Sequence, residues 1–120
     1  MDHIDNTYLE GIISRFDKTN DEEDGQKVAA CFQTIAEKIV QVAAFPPVTL
    51  GAKDDKEVAK WLVLISFHRL HHYNSEKGKA FNYFATVMLN YLRKEHQRWQ
   101  KRTKLEQMYG RYVDGNTMEE

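Results

Sequence analysis

The chain has 120 residues, which is enough for one domain with a hydrophobic core of its own. Hydrophobic residues make up 42% and charged residues 29%, close to the average of globular proteins. A single cysteine, Cys31, excludes an internal disulfide, and no residues have zinc-finger spacing. The polar, acidic start is unlike a signal peptide, and no apolar run approaches membrane-spanning length. We therefore expect a soluble protein of a reducing cytoplasm.

The net charge of −1 hides a strong asymmetry along the chain. Residues 1–26 contain eight acidic and two basic residues, for a net charge of −6. Residues 93–111 contain seven basic and two acidic residues, for a net charge of +5. Two poles of opposite sign predict either two different partners or an acidic segment that shields a basic one, although solvated helix ends would give the same pattern.

Hydrophobic periodicity predicts four helices and no strand. The helices are expected at about 6–18, 26–44 and 56–72, and from about 78 to beyond 105. The two adjacent prolines at 46 and 47 end the second helix, and Asp54 or Asp55 is placed to cap the third. We expect an all-α bundle over residues 26–109, with a long basic final helix. An acidic helix and linker precede it at 1–25, and a flexible tail follows at 110–120.

The start of the fourth predicted helix combines aromatic and basic residues. Phe81, Tyr83, Phe84 and Tyr91 precede a run rich in lysine and arginine. Aromatic rings stack on unpaired bases, and cationic side chains hold phosphates, so this composition favours nucleic-acid binding. An amphipathic helix with an aromatic core face has a similar composition. Phe81 and Phe84 lie on the apolar stripe and are also expected in the core.

One segment resembles a known family. The stretch YNSEKGKAFNYFAT at 73–86 is similar to the signature that joins two adjoining segments of sigma-factor region 2. The flanking pattern, including CFQTIAEKIV at 31–40 and NTYLEGII at 6–13, resembles late-transcription sigma factors of T-even-type bacteriophages. The resemblance covers about residues 6–105. It implies a protein of the host bacterial cytoplasm that is not an enzyme, needs no cofactor and contacts no membrane.

The resemblance also implies two partners: bacterial core RNA polymerase, through the clamp helices of its β′ subunit, and the single-stranded non-template −10 region of a promoter. Polymerase docking is implied for one face of the third helix: Glu57, Lys60, Trp61, Leu64, Phe67 and His68. DNA binding and melting are implied for these residues: Lys79, Phe81, Tyr83, Phe84, Tyr91, Lys94, Glu95, Arg98, Lys101 and Arg102. Trp61 has the alternative of a core position. Trp99 is compatible either with base stacking or with covering the helix.

The chain departs from primary sigma factors in two respects. Val87 and Met88 stand where those proteins carry a tryptophan pair, which favours the phage late type. The sequence also has no region 3 or region 4, so a −35 element is not expected to be read by this chain alone. The phage late family uses a coactivator and a sliding clamp instead, and the clamp is contacted through a hydrophobic C-terminal tail. The tail here, MYGRYVDGNTMEE, has few apolar residues for such a contact.

Other functions find less support in the sequence. His68, His71 and His72 have helical spacing that suits a metal, but no fourth ligand is evident, so no metal is expected. Cys31 falls on an apolar stripe and is expected to be buried. No catalytic motif is present. Two alternatives remain: an inhibitor that binds polymerase and competes with host sigma without reading DNA, and a helix-turn-helix binder of duplex DNA.

Overall fold

The computed structural model describes residues 5–117, and it describes their side chains except those of Ser75 and of residues 111–117. Within this range the chain forms four α-helices and no strand, which confirms the predicted all-α bundle. The α-helices are α1 (Asn6–Thr19), α2 (Glu22–Ala43), α3 (Asp55–His68) and α4 (Ala80–Thr117). Short 3-10 helices lie between them at Pro47–Leu50, Leu70–His72 and Ser75–Lys77.

Aspartate side chains set the starts of the first three helices. Asp5 accepts hydrogen bonds from the amides of Thr7 and Tyr8, and Asp54 accepts one from the amide of Glu57 at 2.9 Å. Asp21 caps α2 in the same way, so α2 begins four residues before the predicted start at 26. Such caps satisfy amide donors that have no partner within the helix.

The core joins all four helices. Its buried side chains come from α1 (Leu9, Ile12 and Ile13), from α2 (Val28, Cys31, Phe32, Ile35 and Ala36), from α3 (Val58, Ala59 and Leu62) and from α4 (Ala80, Phe84, Met88 and Leu92). The burial of Cys31 confirms its predicted position. Because α1 contributes to this core, residues 6–19 belong to the same bundle as the segment 26–109.

The final helix extends well beyond the core. Leu92 is the last buried residue among the α4 side chains that the structure describes, yet the helix continues to Thr117. Its 38 residues correspond to about 57 Å at 1.5 Å per residue, in keeping with overall dimensions of 66 × 27 × 25 Å. Gly110 therefore does not end the helix as expected, and the last part of the predicted tail, 118–120, lies outside the described residues.

No single helix within residues 5–117 is long and apolar enough to cross a membrane. Glu22–Ala43 and Pro47–His68 reach that length and hydropathy only as a pair, which is bent by 117°.

Candidate nucleic-acid and protein interface

Two grooves lie side by side between α3 and α4. The first, which we call the apolar groove, has a volume of about 450 Å³ and is lined by Leu50, Trp61, Leu64, Ile65, His68, Tyr91 and Glu95. The second, the aromatic groove, has a volume of about 300 Å³ and is lined by Ile65, Arg69, Tyr83, Thr86, Val87, Asn90, Tyr91 and Lys94. Ile65 and Tyr91 line both grooves. The faces predicted for polymerase and for DNA therefore meet at these two residues.

The apolar groove contains much of the predicted docking face. Trp61 is half-buried in its wall, and Leu64 is 57% exposed. Lys60 and His68 are exposed on the same side of α3. Glu57 lies at the start of the helix, where its carboxylate accepts a hydrogen bond from the amide of Lys53 at 3.3 Å. An exposed leucine beside a half-buried tryptophan is the kind of surface that protein partners bury.

Phe67 differs from the rest of the predicted docking set. It is half-buried, and its ring packs against Phe32 at 5.1 Å and against Phe16 at 6.0 Å between ring centroids. These edge-to-face contacts join α3 to α1 and α2. Phe67 is therefore a packing residue of the bundle and lies away from the apolar groove.

The aromatic groove is built around Tyr83. Its ring lies 5.2 Å from that of Tyr73 and 5.0 Å from that of Phe84, and the ammonium of Lys77 lies 5.9 Å from its centroid. These neighbours hold the ring at the side of α4 while leaving it partly exposed. A half-buried ring held in this way loses little conformational freedom when a base stacks on it.

Tyr91 forms the ridge between the two grooves. Burial raises the pKa of its phenol above the ordinary value, the charge of Glu95 raises it further, and Arg98 acts in the opposite direction. The phenol is therefore neutral at physiological pH and is available both as a hydrogen-bond donor and as a stacking surface.

The structure corrects the assignment of Phe84. Its side chain is fully buried and packs against Phe32 at 4.7 Å, so it lies in the core and not on the predicted DNA face. Phe81 is half-buried on the same first turns of α4, and Lys79 is exposed just before the helix. Both rings were expected in the core: Phe84 lies fully within it, and Phe81 packs against it while remaining half-exposed.

The basic part of α4 is open to solvent. Lys94, Arg98, Lys101 and Arg102 are all exposed, and Arg98 pairs with Glu95 at 3.0 Å. This ion pair holds Arg98 beside Tyr91 but contributes little to stability, because the side chain of Arg98 is 70% exposed. The cationic stripe therefore begins at the edge of the aromatic groove and continues outward along the projecting helix.

Three features of the site had no recognised signal in the sequence. The 3-10 helix Pro47–Leu50 closes the apolar groove through Leu50. The ring of Phe45 stacks on that of His96 at 4.7 Å between centroids. Asn6 and Glu10 contact the start of α4, far away in sequence. All three depend on contacts between distant segments, which periodicity does not reveal. Trp99 lies three positions after His96 on α4, and the two rings stack at 6.0 Å between centroids, which agrees with the helix-covering role among the two that the sequence allowed.

The three histidines near the end of α3 are exposed, and the rings of His71 and His72 lie 5.8 Å apart. Within the described residues, no three potential ligands come close enough to hold a metal ion.

The acidic segment forms its ion pairs locally. Asp24 lies 3.6 Å from Arg15, and Glu23 lies 3.6 Å from Lys27. Among the side chains described up to residue 110, no ion pair joins this segment to the basic part of α4.

No protein-family model matches the chain, and neither a curated protein nor a solved structure matches it. The sigma-factor resemblance therefore rests on the motif at 73–86 and its flanks, and the function follows as a proposal.

Proposed function

We propose that this chain is a sigma-type specificity subunit of bacterial RNA polymerase that acts in phage late transcription, in the cytoplasm of the host. The observation that carries the proposal is the adjacency of the two grooves. One is apolar and suits a protein partner; the other combines tyrosines with Arg69 and Lys94 and suits an unpaired nucleotide. A subunit that couples polymerase binding to promoter opening needs both sites on one rigid unit.

The docking step uses the apolar groove. The exposed face of Leu64 and the half-buried ring of Trp61 are the surfaces that a helical partner would cover, and the clamp helices of the β′ subunit are that partner. Lys60 and His68 lie at the edge of the same face and add polar contacts. Burying these residues would remove from water apolar surface that the free chain leaves exposed.

The DNA step uses the aromatic groove. A volume of about 300 Å³ is at the lower end of ligand pockets, which suits one flipped base of the non-template −10 strand. Tyr83 and Tyr91 offer stacking surfaces, and Asn90 offers an amide for hydrogen bonds with a base edge. Lys94, Arg98, Lys101 and Arg102 follow on the helix and hold the phosphates of neighbouring nucleotides.

The proposal extends to a coactivator and a sliding clamp, because the late-transcription family that this chain resembles uses both. Leu105 and Met108 are exposed on the projecting part of α4 and offer apolar surface for such a contact.

Run-off transcription with core bacterial RNA polymerase tests the proposal. Two A/T-rich templates are compared, one fully duplex and one premelted at the −10 segment. The docking variant is Leu64→Glu, and its control is Val42→Glu, another exposed apolar residue, at 70% exposure, on α2. The base-stacking variant is Tyr83→Leu, and its control is Tyr109→Leu on the outer part of α4, where Tyr109 is 69% exposed.

We expect initiation at a defined start with the wild-type protein and with both controls. Leu64→Glu abolishes polymerase binding on either template. Tyr83→Leu keeps polymerase binding but weakens capture of the premelted strand by about 5- to 150-fold, the equivalent of one lost stacking contact of about 1–3 kcal/mol. Equal activity of each variant and its control would refute the two assigned faces.

The same assay distinguishes the alternative function. The apolar groove by itself would suit an inhibitor that occupies polymerase without reading DNA. In that case the wild-type protein gives no initiation on either template, and it suppresses transcription driven by the host sigma factor. Suppression lost in Leu64→Glu but kept in Tyr83→Leu would establish this function in place of the first.

A further inference from the structure

The residues just before α4 provide no side-chain acceptor for the amides of its first turn. The first amides of a helix have no partner within the helix, and a side-chain acceptor just before the helix usually satisfies them. Lys79 occupies that position, and a lysine has three donors but no acceptor. Gly78, before it, has no side chain and a φ of +100°. The amides of this turn therefore need acceptors from elsewhere in the chain.

Helix α1 supplies them from 70 and 75 positions earlier in the sequence. The amide of Phe81 donates to Oδ1 of Asn6 at 3.0 Å, and the amide of Ala80 donates to Oε2 of Glu10 at 3.3 Å. Nδ2 of Asn6 also donates to Oε2 of Glu10, which links the two acceptors. The carboxylate of Glu10 lies at the positive end of the α4 dipole, where a negative charge is favourable.

The same contacts reach the aromatic groove. The hydroxyl of Tyr73 donates to the carbonyl oxygen of Gly78 at 2.7 Å, and its ring packs against Tyr83. Burial raises the pKa of Tyr73, and the nearby charge of Glu10 raises it further. Glu10 thus lies beside both the turn that leads into α4 and the ring that supports Tyr83.

We infer that Asn6 and Glu10 are positioning residues for the aromatic groove. They fix the first turn of α4 and, through Tyr73 and Gly78, the orientation of the Tyr83 ring. Glu10 of the acidic segment thereby has a structural partner, the first turn of α4, in place of a role in shielding the basic part of that helix. The effect of this cap on promoter opening rests on the proposed function, whereas the cap itself does not.

Hydrogen exchange measured by NMR on the full chain tests the cap directly. The variants are Asn6→Ala and Glu10→Ala; Thr7→Ala is the control because Thr7 is exposed on the same turn of α1. We expect the amides of Ala80 and Phe81 to exchange about tenfold faster in the two variants, as for the loss of a typical helix cap. Exchange as slow as in Thr7→Ala would overturn the inference.

The ring-proton signals of Tyr83 separate positioning from a loss of general stability. At a temperature where every variant is fully folded, the ring-proton signals of Tyr83 are expected to shift in Glu10→Ala and to return toward wild type in Glu10→Gln, which keeps an acceptor oxygen. Unchanged Tyr83 signals in Glu10→Ala, despite faster exchange at Ala80, would overturn the positioning role.

Transcription provides the functional arm. In Asn6→Ala, initiation is expected to fall about tenfold relative to Thr7→Ala on both the duplex and the premelted template, because capture of the unpaired strand depends on Tyr83. Polymerase affinity is expected to be unchanged because the apolar groove on α3 is untouched. Equal initiation by Asn6→Ala and Thr7→Ala would overturn the functional half of the inference. If the wild-type protein does not initiate at all, the proposed function fails, while the exchange and ring-proton measurements still decide the cap.

Discussion

The substitution Phe84→Ala distinguishes the two roles that the sequence allows for this ring. If Phe84 contacts DNA, its truncation weakens DNA binding and leaves the fold intact. In the structure the side chain is fully buried, and its ring centroid lies 4.7 Å from that of Phe32, 5.0 Å from Tyr83 and 5.7 Å from Tyr73. We therefore expect the main effect to be on stability.

The expected loss in the free energy of unfolding follows from the burial of Phe84. Truncating a buried phenylalanine to alanine costs about 3–5 kcal/mol, because it removes apolar contacts and leaves a cavity in a tightly packed core. The aromatic pairs with Phe32 and Tyr83 favour the upper part of that range, since such pairs add about 0.5–1.5 kcal/mol beyond the buried area. For a chain of 120 residues the loss corresponds to a fall in Tm of about 10–20 °C.

Urea unfolding followed by circular dichroism measures this free energy of unfolding. Tyr109→Ala is the control, since it truncates an aromatic residue of the same helix that is 69% exposed, and it is expected to change stability by less than about 0.5 kcal/mol. Phe84→Leu keeps most of the apolar volume and is expected to cost about 1.5 kcal/mol or less. The reasoning is refuted if Phe84→Ala unfolds within about 1 kcal/mol of the wild-type protein while its DNA affinity falls.

Three other predictions concern separate parts of the chain. Lys101→Gln is expected to reduce the slope of log affinity for single-stranded DNA against log salt by about 0.7, through the loss of one phosphate contact; an unchanged slope would place Lys101 outside the interface. Burial raises the pKa of the Cys31 thiol, so it remains protonated at neutral pH, and we expect a thiol reagent to label it much more slowly in the folded than in the urea-unfolded chain; equal rates would contradict its burial. Gly11→Ala is expected to stabilise α1 by about 1 kcal/mol, because Gly11 is an exposed helical residue with free space around it. Gly25→Ala is expected to stabilise the protein less, since its Cβ would lie 2.8 Å from the ring of Phe16. An equal rise in melting temperature for the two variants would argue against this close packing.

The four helices were predictable because their determinants are local. Apolar residues at helical spacing, the prolines at 46 and 47 and the aspartate at 54 act over a few positions. The largest errors fall at helix ends. Asp21 starts α2 four residues earlier than expected, α3 ends at His68 instead of at about 72, and α4 continues through Gly110, where no proline interrupts it. Single cap residues decide such boundaries, and periodicity does not identify them.

The candidate site was predictable only in part. Its residue types and their position on α3 and α4 follow from the motif at 73–86 and from helical spacing. Adjacent residues point about 100° apart around an α-helix, so the rotation of α4 about its axis decides which of two neighbouring aromatic residues faces the core. That difference separates Phe84, fully buried, from Tyr83, half-buried at the groove.

The sequence by itself determined the helical class, the approximate positions of the helices, the burial of Cys31 and the separation of acidic and basic charge, because each depends on local pattern or composition. Only the tertiary structure decided that α1 caps α4 through Asn6 and Glu10, that Leu50 closes the apolar groove, and that the two grooves share Tyr91. These features join segments up to 75 residues apart. Their geometry is fixed by how four helices fill one core together, which no single segment of the sequence specifies.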